Sequence, residues 1–168
     1  MPVMQISRKI DYALRAVIHL ARRDDQKPSS VAEIALHEGI PKKFLEKIIQ
    51  DLIHHGLVRS TRGAQGGYTL ARAPEMITFK HVIEAIEGPV SINVCVGENG
   101  DAHECAKFPT CGMLWVWKEA QKRMMDLFAS TTLADVRARS FDVVQTADAA
   151  VSETGAPSPG EYARPSSV

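Results

Sequence analysis

The chain has 168 residues with a hydrophobic share of 45%, enough for one domain of ordinary size with a real core. No stretch approaches the roughly 18 uninterrupted apolar residues of a membrane span, and residues 1–7 lack the features of a signal peptide. We therefore expect a cytoplasmic protein without a membrane partner.

The net charge of zero hides a split along the chain. Residues 1–72 carry twelve Lys and Arg against seven Asp and Glu, a net charge of +5, whereas residues 73–168 carry eight against thirteen, a net charge of −5. This asymmetry favours a basic half that meets a polyanion such as nucleic acid.

Apolar residues at helical spacing predict three helices in the first third of the chain. They cover residues 8–23, the segment from a Ser29 or Ser30 N-cap to Gly39, and Pro41 to about His55. The third helix has one apolar side, and its other side is polar and largely basic. This helix is therefore suited to lie between a protein core and a polyanion.

A glycine-rich stretch follows the third helix. Two short strand-like runs, 57–61 and 68–71, flank residues 62–67, which read RGAQGG, and this pattern is typical of a β-hairpin. A fourth helix begins at Ile77 or Thr78 and closes at residues 88–89. A long helix over about 112–129 comes later, with one more turn expected at 133–137. The tail from about residue 142 has little to bury and is expected to be disordered.

Two helices joined by a tight turn and followed directly by a hairpin make a winged helix-turn-helix. The major groove of DNA admits an α-helix, and a glycine-rich hairpin can follow the backbone or the minor groove. The predicted base-edge contacts come from the start of the third helix: Lys42, Lys43, Glu46 and Lys47. The predicted phosphate or minor-groove contacts come from the hairpin: Arg59, Arg62, Gln65, Gly66, Gly67 and Tyr68.

The three cysteines lie close together in the sequence, as Cys95-x9-Cys105-x5-Cys111. An odd number of clustered cysteines in a cytosolic protein argues against a disulfide framework and favours metal or redox chemistry. The paired Cys-x2-4-Cys arrangement of zinc sites is missing from the sequence. Iron–sulfur clusters accept more varied spacings. Three thiolates leave one ligand position open, for which the candidates are His103, Glu104, Asp11 and His37.

Together these motifs resemble those of the winged-helix iron–sulfur regulators of the IscR/NsrR type, over roughly three quarters of the chain. The matching stretches are residues 10–15 (IDYALR), 40–47 (IPKKFLEK) and, most specifically, 56–68 (GLVRSTRGAQGGY). The late cysteine trio and the long helix after it also fit. The resemblance implies a mainly α (α+β) fold in which a long C-terminal helix joins two copies as a homodimer on an operator.

The resemblance also implies roles for individual residues. Glu46 matches a base-reading glutamate, and Arg62 matches an arginine that enters the minor groove. Cys95, Cys105 and Cys111 match cluster ligands, for a [4Fe-4S] or [2Fe-2S] cluster. The helix-1 aspartate, here Asp11, completes the cluster from the partner subunit in the nitric-oxide sensor type. A two-iron variant would use Asp11 and His37 with two cysteines.

This sequence departs from the family pattern at two points. The first cysteine gap is x9 where x5 is usual, and Leu114 stands where the cluster-assembly type has a histidine. These departures favour the sensor type, a repressor that responds to nitric oxide, redox state or iron–sulfur status. The expected organisation is a DNA-binding domain over 1–88, a cluster loop over 89–111, a dimerisation helix over 112–140 and the tail over 141–168.

Three other classes of function compete with this hypothesis. A winged-helix regulator without a cluster would respond through its thiols, a small molecule or a partner protein. A pure protein-interaction winged helix would not bind DNA. An enzyme is disfavoured, because the sequence has no nucleophile–base motif, no GxxxxGK[ST] phosphate loop and no helix-borne His/Glu metal pattern.

Overall fold

The computed structural model describes residues 7–23, 27–63, 66–93, 95–96 and 110–139. Several predicted features lie outside these described residues: Gln65, His103, Glu104, Cys105 and the tail over 141–168. The helices are α1 (Arg8–Ala21), α2 (Val31–Glu38), α3 (Lys42–His54), α4 (Phe79–Glu87) and α5 (Leu114–Ser130). No helix in this part of the chain is long and apolar enough to cross a membrane.

Local capping signals set the limits of the helices. The Ser30 hydroxyl accepts from the backbone N–H of Glu33, and Gly39 ends α2 with a left-handed φ of 64°, which glycine adopts without steric penalty. Thr78 begins α4 in a reciprocal capping box with His81. The predicted helix boundaries are therefore confirmed to within two or three residues.

Strands β1 (Val58–Thr61) and β2 (Gly67–Leu70) form an antiparallel hairpin. Its register pairs Val58 with Leu70, and Val58 is buried while the rest of β1 is exposed. We call this hairpin, residues 58–70, the wing. An isolated bridge joins Tyr68 of the wing to Ser29, just before α2, through two backbone hydrogen bonds of 2.9 and 3.0 Å. The wing is thereby held against the helix-turn-helix.

The core lies between α1, α3 and α4. Fully buried side chains from these helices include Val17, Leu45, Ile48, Leu52 and Val82. At about 1.5–3 kcal/mol for each buried large aliphatic side chain, their packing fixes α3 with its apolar side inward. The opposite side of α3 is left at the surface.

The chain returns to this core after α5. Thr132 bridges to Thr78, the backbone N–H of Leu133 donates to the carbonyl of Ile77 at 2.9 Å, and Leu133 is fully buried. Residues 133–139 then form a short helix, α6. The end of α5 is therefore joined to the start of α4, and the expected mainly α winged-helix architecture is confirmed.

Candidate nucleic-acid interface and cysteine segment

The polar side of α3 presents the four predicted base-reading side chains together. Lys42, Lys43, Glu46 and Lys47 are all exposed, whereas Leu45 between them is fully buried. Within the part of the chain that the structure describes, none of these four side chains has an ion-pair or hydrogen-bond partner. Their donors and acceptors are therefore available to a ligand at the surface.

An apolar side chain accompanies these charges. Phe44, in the first turn of α3, is 62% exposed. Apolar contact with a thymine methyl group is one of the ways in which proteins read the major groove. The start of α3 thus offers cationic, anionic and apolar groups for reading base edges.

The wing places its predicted contacts in different environments. Arg62 is exposed next to the tip, where Gly63 has a φ of 122° that favours glycine. The backbone N–H of Gly66 donates to the carbonyl of Gly63 at 2.9 Å, so this amide is used within the turn. The Tyr68 side chain packs against the core. The Arg62 side chain is exposed to solvent.

Gly67 lies at a close contact between the wing and the helix-turn-helix. A Cβ atom at this position would lie 2.7 Å from the backbone oxygen of Ser29. That is closer than a carbon and an oxygen approach without strain, so only glycine lets β2 bridge to Ser29. Gly67 therefore has a structural role that the sequence pattern alone did not reveal.

Arg59 contacts another part of the wing. Its Nε donates to Oγ1 of the cross-strand residue Thr69 at 3.1 Å. Arg59 also lines a cavity with residues from the end of α1. Unlike Arg62, this arginine is held along the strand pair and not at the tip.

The cysteine segment, residues 89–111, lies between α4 and α5 in the sequence. Cys95 is buried, Cys111 is partly exposed, and both are free thiols. Among the described residues, no three His, Cys, Asp or Glu side chains lie close enough to share a metal ion. The donor chemistry nevertheless suits an iron–sulfur cluster, because thiolates are its usual ligands.

The other candidate ligands are on the first two helices. Asp11 is in the first turn of α1, where its Oδ2 lies 3.0 Å from Nη2 of Arg15, and its side chain is 47% exposed. An exposed i,i+4 pair of this kind is worth about 0.3–0.5 kcal/mol. Exchanging Arg15 for another partner would therefore cost Asp11 little. His37 is exposed in the last turn of α2, beside His19, with 5.6 Å between ring centroids.

Gln121 links the cysteine segment to α5. Its Nε2 donates to the carbonyl of Val90 at 2.8 Å, and its Oε1 accepts from the backbone N–H of Ile92 at 3.0 Å. Both bonds are made just before Cys95. This link could not be predicted from the sequence, since a glutamine on a helix is usually solvated.

Helix α5 has no buried residue along its 17 positions. Met113, Trp115, Val116 and Leu127 are 44–71% exposed. Phe128 of α5 is partly buried, because it stacks on Phe79 of α4 at 6.4 Å between ring centroids. An apolar helix surface of this extent is typical of a protein–protein contact.

Comparisons with known proteins agree with this geometry. Residues 6–139 match the family model described as "Rrf2: Iron-dependent Transcriptional regulator". CymR from Bacillus subtilis is 36% identical over 135 residues, 79% of this chain and 89% of its own. NsrR from Bacillus licheniformis is 32% identical over 133 residues, 79% of this chain and 92% of its own.

A solved structure supports the same assignment. That of IscR from T. potens has a TM-score of 0.66 and 31% identity, and it covers 82% of this chain and 88% of its own. The relatives are transcriptional regulators and not enzymes, which confirms the predicted class. The chain belongs to the Rrf2 family of winged-helix DNA-binding transcriptional regulators.

Proposed function

We propose that this regulator binds its operator as a homodimer and holds an iron–sulfur cluster on Cys95, Cys105 and Cys111, with Asp11 of the partner subunit as the fourth ligand. In this function it is a repressor that responds to nitric oxide or oxidants. The observation that carries the proposal is the position of the two described thiols: they lie in the segment that Gln121 fastens to α5.

The described donors fit such a cluster in their chemistry. Cys95 and Cys111 are not used in a disulfide, and Cys105 lies between them in the sequence. When bound, an iron–sulfur cluster supplies iron that nitric oxide and oxidants attack. The match to a family described as iron-dependent supports the same metal.

Asp11 suits a role as the replaceable ligand. Its carboxylate is half-exposed, and among the described residues Arg15 on its own helix is its one ion-pair partner, so a second chain can reach it. A carboxylate is a harder, weaker ligand for iron than a thiolate. Bridging from α1 of one subunit to the cysteine segment of the other would tie the two DNA-binding domains together.

The exposed apolar side of α5 is the proposed dimer contact. Burying Val116, Ala120 and Leu127 against the same residues of a second copy would follow the isologous geometry usual in homodimers. Since Gln121 lies on this helix, an ordered cysteine segment would favour one arrangement of α5. The two DNA-binding domains of the dimer must be about one helical turn of DNA apart to bind both half-sites. A change at α5 would alter this separation and therefore the affinity for the operator.

The operator contacts are proposed for the start of α3 and for the wing tip. Lys42, Lys43, Glu46 and Lys47 would meet base edges and phosphates, and Arg62 would enter the minor groove. Support comes from the exposure of all five side chains at the surface. Arg59, Gln65, Gly66, Gly67 and Tyr68 stay predicted contacts to phosphate or the minor groove, and Gly67 and Tyr68 in addition hold the wing against Ser29.

Anaerobic purification tests the cluster directly. Native mass spectrometry, together with iron and sulfide analysis, is expected to show a dimer with one cluster in each subunit. An operator is first selected from random DNA duplexes, and nitric oxide is expected to release the protein from it. Asp11→Asn is expected to leave iron bound but change the response to nitric oxide. Asp126→Asn is its matched control, because Asp126 is another exposed carboxylate in an i,i+4 pair, with Lys122.

A thiol-based regulator without iron is the second candidate. CymR from Bacillus subtilis is described as a global cysteine regulator, and Staphylococcus aureus CymR has been solved in an "oxidized form". A colourless anaerobic preparation whose operator affinity falls on mild oxidation, and recovers with a reductant, would establish this candidate and rule out the cluster.

A further inference from the structure

A cavity of about 330 Å³ opens between the end of α1, the wing and the residues that follow the wing. Its lining includes the buried residues Leu20, Ala21 and Thr69, so it extends below the surface. Its volume is at the lower end of the range of small-molecule sites. The proposed contacts to DNA and iron do not use this space, apart from Arg59.

The charges around the cavity are strongly unequal. Among the described residues, its lining holds one acidic residue, Glu75, and five cations: Arg23, Lys27, Arg59, Arg72 and Arg137. Arg23 is ion-paired with Glu33 on α2. Lys27 and Arg137 also take part in interactions of their own, so an anion is best matched by Arg59 and Arg72, which have no ion-pair partner among the described residues. Two guanidinium groups brought together in this way favour the binding of an anion.

We propose that this cavity binds a small organic anion with two negative charges, a dicarboxylate or a phosphate monoester, as an effector. Arg59 and Arg72 provide guanidinium groups, whose planar forks match carboxylate and phosphate oxygens. The apolar side chains of Leu20, Leu70 and Pro74 line the same space and suit the carbon skeleton of such a ligand.

A DNA phosphate is the competing occupant. A duplex backbone lies along a surface and would leave a recess with a buried floor unfilled, whereas a small anion fits inside it. The residues that line the cavity also join two functional parts of the domain, since Arg59 belongs to the wing strand that leads to Arg62 and Arg137 donates to the carbonyl of Ala21. A bound anion would hold Arg59 on the cavity side and so change the position of the wing.

Calorimetric titration of the purified dimer tests the proposal with three probes: succinate, glycerol 3-phosphate and uncharged glycerol. Saturable binding is expected for succinate or glycerol 3-phosphate, and which one binds distinguishes a carboxylate from a phosphate ligand; glycerol is not expected to bind. Arg59→Gln and Arg72→Gln are each expected to weaken binding at least about tenfold, as loss of a charge-assisted hydrogen bond does. Lys118→Gln, which removes an exposed cation of α5 outside the lining, is expected to have no effect.

Unfolding midpoints measured without a probe identify any variant that has lost its fold. If one arginine variant has done so, the binding measured for the other arginine variant decides the test. Absence of saturable binding to both anions overturns the proposal, and so does equal binding by Arg59→Gln, Arg72→Gln and wild type. If the two variants keep anion binding but show weaker duplex affinity with a shallower salt dependence, the cations contact DNA and the effector site does not exist.

Discussion

Replacing Gly67 by alanine tests the attachment of the wing to the helix-turn-helix. The added methyl group would lie 2.7 Å from the Ser29 oxygen and 2.8 Å from its carbonyl carbon. Both are backbone atoms, so no side-chain rotation relieves the overlap. Strand β2 must therefore move away from Ser29.

The cost of this movement follows from the bonds that it breaks. The bridge between Ser29 and Tyr68 consists of two backbone hydrogen bonds, at 2.9 and 3.0 Å. At about 0.5–1.5 kcal/mol each, their loss lowers the free energy of unfolding by about 1–3 kcal/mol. For a chain of this size the melting temperature falls by about 2–12 °C. Operator affinity falls as well, because the wing tip is displaced.

Thermal unfolding followed by circular dichroism measures the first effect, and fluorescence anisotropy on a selected operator measures the second. Gly112→Ala is the matched control, since a methyl group there meets no atom of the described residues within 4 Å. If Gly67→Ala melts within about 1 °C of wild type, or if Gly112→Ala is destabilised equally, then the close contact does not hold the wing.

Three further changes test other parts of the molecule. Lys47→Gln is expected to weaken duplex binding and to reduce the slope of log affinity against log salt by about one, while Lys118→Gln does not; an unchanged slope would exclude a phosphate contact at this lysine. Leu133→Ala removes a fully buried side chain and is expected to cost about 2–5 kcal/mol in urea unfolding, so a loss below about 1 kcal/mol would contradict the described return of the chain to the core. Val116→Glu combined with Leu127→Glu is expected to convert dimers to monomers in sedimentation equilibrium without loss of helix content, and a dimer that persists would place the contact elsewhere.

Local sequence signals predicted most of the secondary structure. Ser30, Gly39 and Thr78 each act on the backbone within a few residues of their own position, so their effect can be deduced without knowing the fold. Helical spacing placed the apolar sides of α1 and α3 correctly for the same reason: a side of a helix is defined by the helix alone.

The features that could not be predicted depend on contacts between distant parts of the chain. The burial of Leu133 requires Ile77, more than fifty residues earlier, and a single leucine has no periodicity. The direction of Arg59 depends on its cross-strand partner Thr69. The need for glycine at position 67 comes from Ser29 in another element. Each is determined by tertiary packing, which a pattern along the sequence does not report.

The end of α5 is joined to the start of α4, so a movement of α5 is transmitted to the DNA-binding domain. The 17 residues of α5 span about 25 Å at the usual rise per residue. With one end fixed at Thr132 and Leu133, a tilt of about 5° displaces the other end by about 2 Å, comparable to the helix shifts that switch other regulators. Because Cys111 lies three residues before that other end, a displacement of the cysteine segment would reach the DNA-binding domain as a rotation of the whole helix about Thr132 and Leu133.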